Sequence, residues 1–310
     1  MAEWLFEDGI GEARAALVSG GAIVAARIEL PDPPYDLRLG SVVDARLVAR
    51  DRVSLDDGTA LLLDGAAGVS EGATLRVIVT REVIPEPGRA KLARCRVTDA
   101  PLCAGPDLRA RIEASGHKVR VLHPYQDDAL EAAGWSDVLD EALTGDIAFG
   151  GGALRLSPTP AMALFDVDGR GDLAALSIAA AAAVAQAVAR HDIGGSIGID
   201  FPSVQGRSAR QAVVAAIDAA LPPPFERTAM NGFGFVQIVR PRPRASLPEI
   251  LRADPVGAAA RAALRSLERT PPLAPLVMRV PGAVKARIDS RPDWLAALAR
   301  RTGRTAQLEC

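Results

Sequence analysis

Residues that build zinc sites are scarce in this sequence, which has three cysteines and three histidines among 310 residues. Cys95, Cys103 and Cys310 form no Cys-x-x-Cys pair, and their odd number leaves at least one thiol without an intramolecular disulfide partner. We therefore expect free thiols and no structural zinc ion.

Long apolar runs are also missing. The longest candidate, ALSIAAAAAVAQAVA at 175–189, is shorter than the roughly 18 apolar residues of a membrane helix, and it is mostly alanine, which favours helix. The opening residues MAEWLFEDG are acidic where a secretory signal is basic. These features predict a cytoplasmic protein without a membrane partner.

Neither sign of charge is in large excess, since the formal net charge is −2, and aromatic residues make up only 4%. We therefore expect neither binding of nucleic acid through a large overall positive charge nor extensive base stacking. Basic residues still cluster at 88–96, 207–210 and 240–244. The candidate phosphate contacts in these clusters are Arg89, Lys91, Arg94, Arg207, Arg210, Arg240 and Arg242. A solvated surface explains each of them equally well when it is considered alone.

Short strand-like segments dominate the first hundred residues. Residues 13–29 predict two strands around the turn SGG, and four or five short strands separated by Gly/Asp turns recur over 39–99. This spacing favours a small barrel, for which the OB type is a natural candidate. Helix-like segments follow at 105–115 and 135–145, the second with Ser136 as its N-cap, and a strand lies between them.

The middle of the chain predicts a hairpin followed by a strand–helix–strand crossover. GGALRLS and AMALFDV form the hairpin through PTP, an alanine-rich helix covers 173–190, and an apolar strand covers 196–201. Such a crossover is right-handed and its two strands are parallel. A helix at 207–221 and the strand GFGFVQIVRPR come next, and residues 246–310 alternate helices with one strand.

Carboxylates gather behind the first strand of this crossover. Asp166, Asp168 and Asp172 follow an apolar run directly, and Asp200 ends the second strand. Because the carboxyl ends of parallel strands meet at one edge of a sheet, Asp166 and Asp200 are predicted to converge there. Turn formation is the alternative interpretation for Asp166 and Asp168, whereas Asp172 is predicted to cap the following helix.

Five segments stand in an order that matches a known family. They are ARAALVSGGAIVAARIE, EALTGDIAFGGGALRLSPTPAMALFDVDGRG, HDIGGSIGIDF, FGFVQIVRPRPRASL and MRVPGAVKARIDSRPDWLAALARRTG. Together they resemble the ribonuclease E/G family almost from end to end. Ordered motifs at sensible spacing are a specific signal, although any one of them alone is weak.

The resemblance implies a mixed α/β (α+β) fold in five parts. These are an RNase H-like N-terminal hairpin segment at 1–36, an inserted OB-type RNA-binding barrel at 37–100, a reduced sensor or linker region at 101–150, a deoxyribonuclease-I-like α/β catalytic domain at 151–248 and a small C-terminal α/β domain at 249–310. The segment RADPVG stands where the family has its zinc-link cysteines, so an oligomer is possible but is not zinc-linked.

The resemblance also implies Mg²⁺-dependent hydrolysis of single-stranded RNA, with Mn²⁺ as a substitute ion. The family's two catalytic, metal-binding aspartates fall on Asp166 and Asp200, and a nearby family asparagine falls on Asp168 as a further metal ligand. Mg²⁺ takes oxygen ligands, often one or two carboxylates with water and phosphate oxygens. The seven basic residues named above become the RNA contacts in this interpretation.

The sequence departs from the family at supporting positions. Pro160 and Ser203 stand where the family has acidic residues, no Phe, Tyr or Trp occurs in 37–100, and no 5′-monophosphate pocket is found near 105–135. The retained aspartates favour a compact endoribonuclease, whereas these losses favour a degenerate relative that binds RNA or a ribosomal partner. A nuclease for another nucleic acid is a third possibility. His191 is expected to be solvated or to cap a helix rather than act as a general base.

Overall fold

The computed structural model describes residues 2–32, 37–65, 68–86 and 90–310, which form a mixed α/β protein. The strands are, in chain order, β1 Glu3–Asp8, β2 Ala13–Ser19, β3 Ala22–Glu29, β4 Val42–Ala49, β5 Arg52–Ser54, β6 Ala60–Leu63, β7 Thr74–Arg81, β8 Arg94–Val97, β9 Lys118–Val121, β10 Asp146–Phe149, β11 Gly152–Pro158, β12 Ala163–Gly169, β13 Gly195–Asp200, β14 Glu226–Arg227, β15 Phe235–Arg240, β16 Val277–Arg279 and β17 Gln307–Glu309. The helices are α1 Leu108–Glu113, α2 Ala129–Ala132, α3 Trp135–Thr144, α4 Leu173–Arg190, α5 Arg207–Ala220, α6 Leu247–Ala253, α7 Pro255–Glu268, α8 Gly282–Asp289 and α9 Pro292–Thr302.

The first sheet has the strand order β3-β2-β1-β9. The predicted hairpin at 13–29 is confirmed as the antiparallel pair β2–β3, and β9 joins the far edge parallel to β1. Successive residues of β1 face opposite sides of the sheet. Trp4 and Phe6 pack with α1, whereas Leu5 packs with Trp135 of α3. This sheet therefore unites the predicted segments 1–36 and 101–150.

Helix α3 begins at a different residue from the one predicted. Its N-cap is Gly134, in the left-handed region at φ +91°, and no side chain caps it. Ser136 lies inside the first turn, and its hydroxyl donates to Glu131 Oε2 at 2.9 Å. The prediction of Ser136 as the N-cap is wrong because a glycine makes the tight turn between α2 and α3. Gly145 ends the helix in the left-handed region, as predicted.

Strands β4 to β8 close a five-stranded barrel in the order β4-β5-β6-β8-β7, within the predicted region 37–100. Only the β6–β8 contact is parallel. The core of the barrel is aliphatic, with Val53, Leu61 and Val77 fully buried beside Cys95. Burial raises the pKa of the Cys95 thiol to about 12, so the thiol stays protonated and unreactive. All three cysteines are free thiols, as expected.

The second sheet has six strands in the order β10-β11-β12-β13-β15-β14. The predicted hairpin is confirmed as β11–β12, and the predicted crossover is confirmed because β12 and β13 are parallel and α4 joins them. The Asp172 carboxylate accepts from the Ala174 N–H at 3.0 Å, so it caps α4 as predicted. One face of the sheet packs on α4 and α5 around Phe165, Val184 and Ile217. The opposite face, hereafter the open face, carries exposed side chains.

Among the described residues, α4 is the one helix with the length and apolar composition of a membrane span, with a mean hydropathy of 1.6. In this structure α4 lies between the two large sheets and contacts β3, β10, β11, β12 and α5. Its Ala181, Val184 and Ala185 are fully buried. A helix that is covered on several sides is apolar around most of its surface.

The C-terminal region packs α7, α8 and α9 around Leu264, Ile288 and Trp294. The final segment TAQLEC contributes β17, which pairs in parallel with β16, so this region has two strands rather than the predicted one. Helix α8 was also not expected from the sequence.

A buried charge network joins the N-terminal sheet to α7. The Arg14 guanidinium is almost fully buried and pairs with Glu7 and Glu12. Glu12 also accepts from Arg261 at 2.9 Å, and Glu7 from Arg265 at 2.9 Å. Buried charges need such partners, because removing one partner leaves an uncompensated charge in the interior. The two ends of the chain are therefore held together by charge as well as by apolar packing.

Replacing Phe165 with alanine is expected to lower the free energy of unfolding by about 3–5 kcal/mol, because the ring is fully buried between the second sheet and its helices. Urea denaturation followed by circular dichroism measures this change. Ile178→Ala removes a side chain that is 38% exposed on α4 and is the control, with an expected change within about 0.5 kcal/mol. Equal losses for both variants would contradict the packing described here.

Candidate functional site

Strands β12 and β13 place two of the predicted aspartates side by side. In β12, Phe165 is buried and Asp166 is exposed; in β13, Ile199 is buried and Asp200 is exposed. Alternation along a strand therefore puts both carboxylates on the open face. Asp166 and Asp200 are register partners, and neighbouring strands lie about 4.8 Å apart. The predicted convergence of these two residues is confirmed. The expectation that the first strand ends at Asp166 is wrong, because β12 continues to Gly169 through its pairing with β11.

The same register continues across the sheet as a row of five residues. It runs Asp146, Arg155, Asp166, Asp200 and Phe235, one residue from each of five neighbouring strands. Arg155 Nε lies 3.3 Å from Asp146 Oδ1, and its side chain is 68% exposed. Arg155 is thus the register partner of Asp166, while its guanidinium pairs with Asp146 on the other side.

Arg155 was not predicted as a site residue. The turn PTP determines the pairing of β11 with β12, in which Pro158 faces Ala163 and Arg155 faces Asp166. The signal for Arg155 in the sequence is its distance from the PTP turn, and this distance identifies it as the partner of Asp166 only when the hairpin register is known.

An apolar strip lies next to the pair on the open face. The side chains of Met162, Leu164 and Phe235 converge over Gly198, where a Cβ atom would come within 2.8 Å of Phe235 Cζ and 2.9 Å of Met162 Sδ. Glycine at 198 therefore allows a close approach of these side chains. The open face combines charged and apolar surface within a few residues.

Asp168 is not part of the same row. It faces Ala153, two residues further along β12 than Asp166. Within residues 2–32, 37–65, 68–86 and 90–310, no group of three or more His, Cys, Asp or Glu side chains is arranged to hold a metal ion. The described structure therefore offers a pair of carboxylates, with Asp168 as a neighbour, rather than a closed three-ligand centre.

The predicted basic residues divide between the two ends of the second sheet. Arg207 and Arg210 begin α5, which follows the carboxyl end of β13, and Arg210 Nη1 donates to the Val204 carbonyl at 3.4 Å. Arg240 lies at the other end, opposite Gly195. Among the predicted basic residues that the structure describes, only the α5 pair is at the edge that holds Asp166 and Asp200.

Most of the remaining basic residues have carboxylate partners. Arg242 pairs with Glu249 and lies 3.8 Å from Glu86. Lys91 lies 2.5 Å from Glu86, and Arg94 pairs with Asp64. Lys91 and Arg242 thus take part in the contact between the barrel and the second sheet, while Arg89 lies outside the described residues.

No protein-family model matches this chain, and no curated protein matches it. The resemblance of its motifs to the ribonuclease E/G family stays a prediction from the sequence. A function for the site has to follow from the residues that the fold brings together.

His191 occupies the C-cap position of α4 and is fully buried, so the expectation of a solvated side chain is wrong and that of a capping position is confirmed. Its Nε2 lies 3.1 Å from Glu141 Oε2. Burial lowers the pKa of His191 below its ordinary value of 6.5, although the hydrogen bond with Glu141 opposes that shift. Contacts with His191 and Arg190 lower the pKa of Glu141 against the opposing effect of burial. His191 lies behind the sheet and has a structural role.

Stability is expected to fall as the pH drops below about 7. The unfolded chain protonates His191 near 6.5, whereas the folded chain takes up that proton only at lower pH, so acid favours unfolding. The lowered pKa of Glu141 acts in the same direction below about 4.5. Urea denaturation over this range should show a smaller fall for His191→Gln than for the unmodified protein. The exposed His117→Gln is the control, and identical pH profiles for all three proteins would contradict this account.

Proposed function

We propose that this chain is an endoribonuclease of the ribonuclease E/G type that uses Mg²⁺, or Mn²⁺ in its place, to hydrolyse single-stranded RNA in cytoplasmic RNA processing or decay. The observation that carries the proposal is the register pairing of Asp166 with Asp200 on the open face, where the parallel pairing of β12 with β13 ends. Open α/β sheets commonly build their active sites at this edge.

The donor set fits a hard divalent cation. Asp166 and Asp200 contribute carboxylate oxygens from adjacent strands, and Arg155 pairs with Asp146 instead of neutralising them. Mg²⁺ commonly takes one or two protein carboxylates and fills its remaining positions with water and phosphate oxygens. When bound, the ion supplies activation of water and neutralisation of phosphate charge. Asp168 lies two residues further along β12, about 7 Å from Asp166, and its proposed role is to orient a water of the ion.

Arg155 gives the site a positive group for the phosphate. A phosphodiester approaching the open face meets Asp166, Asp168 and Asp200, all of which repel it. The guanidinium in the next strand offsets this repulsion, and its planar N–H groups match phosphate oxygens. Its ion pair with Asp146 is exposed and therefore weak, so the guanidinium can turn to a bound phosphate at little cost.

The finer architecture is part of the same proposal. The barrel order β4-β5-β6-β8-β7, with its parallel β6–β8 contact, supports an OB-type barrel. We assign the first sheet to an RNase H-like segment and the second sheet to a deoxyribonuclease-I-like catalytic domain. Because 37–100 has no aromatic residue, a barrel of this kind would bind RNA through phosphate contacts rather than base stacking.

A second candidate is a degenerate relative that binds RNA or a ribosomal partner without cutting. The described residues contain no three-ligand metal group, and several predicted RNA contacts are engaged in ion pairs. Pro160 and Ser203 also replace acidic family positions. The two candidates differ in one property, which is whether RNA bound to the protein is cleaved.

Asp166→Asn and Asp200→Asn are each expected to reduce cleavage of an A/U-rich single-stranded RNA by more than about a hundredfold, because groups that only support metal ligands are already worth about 10- to 100-fold. Cleavage of end-labelled RNA in Mg²⁺ or EDTA, followed on a denaturing gel, measures the effect. Asp140→Asn, an exposed aspartate on α3, is the matched control and should leave the rate unchanged.

Three outcomes of this experiment are informative. Cleavage that persists in EDTA, or in the double Asp166/Asp200 variant, would place the activity elsewhere or in a contaminant. Binding without cleavage by the unmodified protein would select the degenerate relative. Neither binding nor cleavage of RNA would reject both candidates.

Arg155→Ala is expected to lower kcat by about a hundredfold, the scale of losing one group that stabilises developing charge, while the protein stays folded. Arg155→Lys should recover part of the rate, because it keeps the charge without the planar geometry. Single-turnover cleavage rates measure this difference. Arg109→Ala removes another exposed arginine from a surface ion pair and should have no effect. Equal rates for the Arg155 and Arg109 variants would remove Arg155 from the site.

A further inference from the structure

Phe233 is an aromatic side chain displayed at the carboxylate edge of the second sheet. It lies in the turn between β14 and β15, and it is 84% exposed. A single exposed apolar residue needs no explanation by itself. Its position and the construction of its turn distinguish Phe233 from such residues.

The turn is held by a set of hydrogen bonds centred on Asn231. Asn231 Oδ1 accepts from the backbone N–H of Phe233 at 2.9 Å and of Phe235 at 3.0 Å. The Asn231 N–H donates to the Phe235 carbonyl at 3.1 Å. Such an Asx turn replaces water with fixed partners, so the backbone that carries the exposed ring is ordered.

The same turn is joined to the strand that carries Asp200. The N–H of Phe201, the next residue after Asp200, donates to the Gly234 carbonyl at 3.2 Å. Gly234 has φ +93°, and a Cβ atom there would lie 2.3 Å from the Phe201 carbonyl oxygen. Only glycine allows this approach, which brings Phe233 up to the end of β13.

The register places Phe233 close to the row of site residues. Phe235 is the partner of Asp200, and two residues of chain span at most about 7 Å. The Phe233 Cα is therefore within about 7 Å of the Phe235 Cα, and it lies beyond the carboxyl end of β13 because β15 runs antiparallel to β13. The Arg207 end of α5 starts from the same edge.

We propose that Phe233 stacks on a nucleobase of the RNA strand next to the phosphodiester held at Asp166 and Asp200, and thereby sets which bond lies over the carboxylates. This inference rests on the function proposed above. Aromatic stacking is available to every base and strengthens binding by about five- to 150-fold per base. Since the barrel region 37–100 has no aromatic residue, this stacking contact would come from the second sheet.

The chemistry predicts tolerance of base identity. Phe233 has no hydrogen-bonding group, so it recognises the π-face of a base and not its edge. Removing the base at the stacked position of the RNA should weaken binding by the same factor as removing the Phe233 ring from the protein.

The test combines protein and RNA variants. Phe233→Ala and Phe233→Leu are expected to raise KM by about tenfold and to spread cleavage over several bonds, whereas Phe233→Trp retains a single preferred bond. A single abasic nucleotide is placed at each position of the RNA in turn. At one distance from the cleaved bond it should raise KM for the unmodified protein as much as Phe233→Ala does. At that position it should not raise KM further for Phe233→Ala. Tyr125→Ala, which removes a ring of 83% exposure from the β9–α2 connection, is the matched control.

A binding measurement separates this inference from the proposed catalysis. Phe233→Trp in the Asp166→Asn/Asp200→Asn background introduces an exposed indole, whereas the three native tryptophans are all buried. Single-stranded RNA should quench that exposed emission, and RNA without the stacked base should quench it less. Cleavage by the unmodified protein with no effect of Phe233→Ala, or with equal quenching by both RNAs, overturns the stacking contact alone. Failure of the unmodified protein to bind any RNA overturns the proposed function together with it.

Discussion

The parallel pairing of β12 with β13 is the constraint on which the rest of the site depends. Two consecutive strands can be parallel only if the chain crosses back between them, and α4 makes this crossing. Its alanines let the helix lie closely between two sheets. The resulting register puts Asp166 opposite Asp200. A slip of one residue would turn Asp200 into the core, because successive side chains face opposite sides of a strand.

The protein uses charged residues in two physically different settings. Arg14 and its partners Glu7 and Glu12 are buried, so each charge needs a partner nearby and the network joins the ends of the chain. Asp166 and Asp200 are solvated on the open face, where the high dielectric constant of water limits the repulsion between two adjacent like charges to about 1 kcal/mol. Only the second setting leaves carboxylate oxygens available to a ligand.

Local sequence patterns were sufficient for elements whose signals lie within a few residues. The hairpin β11–β12, helix α4 and its cap Asp172 follow from turn residues, alanine content and a capping side chain. Strand β1 was not predicted because four consecutive residues of EWLFED are buried, which removes the alternation that identifies a strand. The residue type of Ser136 predicts an N-cap, but Gly134 makes the turn and the helix begins at Trp135.

By itself, the sequence determined that Asp166 and Asp200 lie on the two strands of one crossover, and the handedness and direction of such units follow from general backbone geometry. The tertiary structure alone decided the roles of the charged residues around them. Arg155 stands beside Asp166 because of a hairpin register, and Arg242 faces Glu249 and Glu86 because the barrel packs there. Whether a charge meets solvent, a ligand or an opposite charge depends on residues distant in the chain, which no local pattern contains.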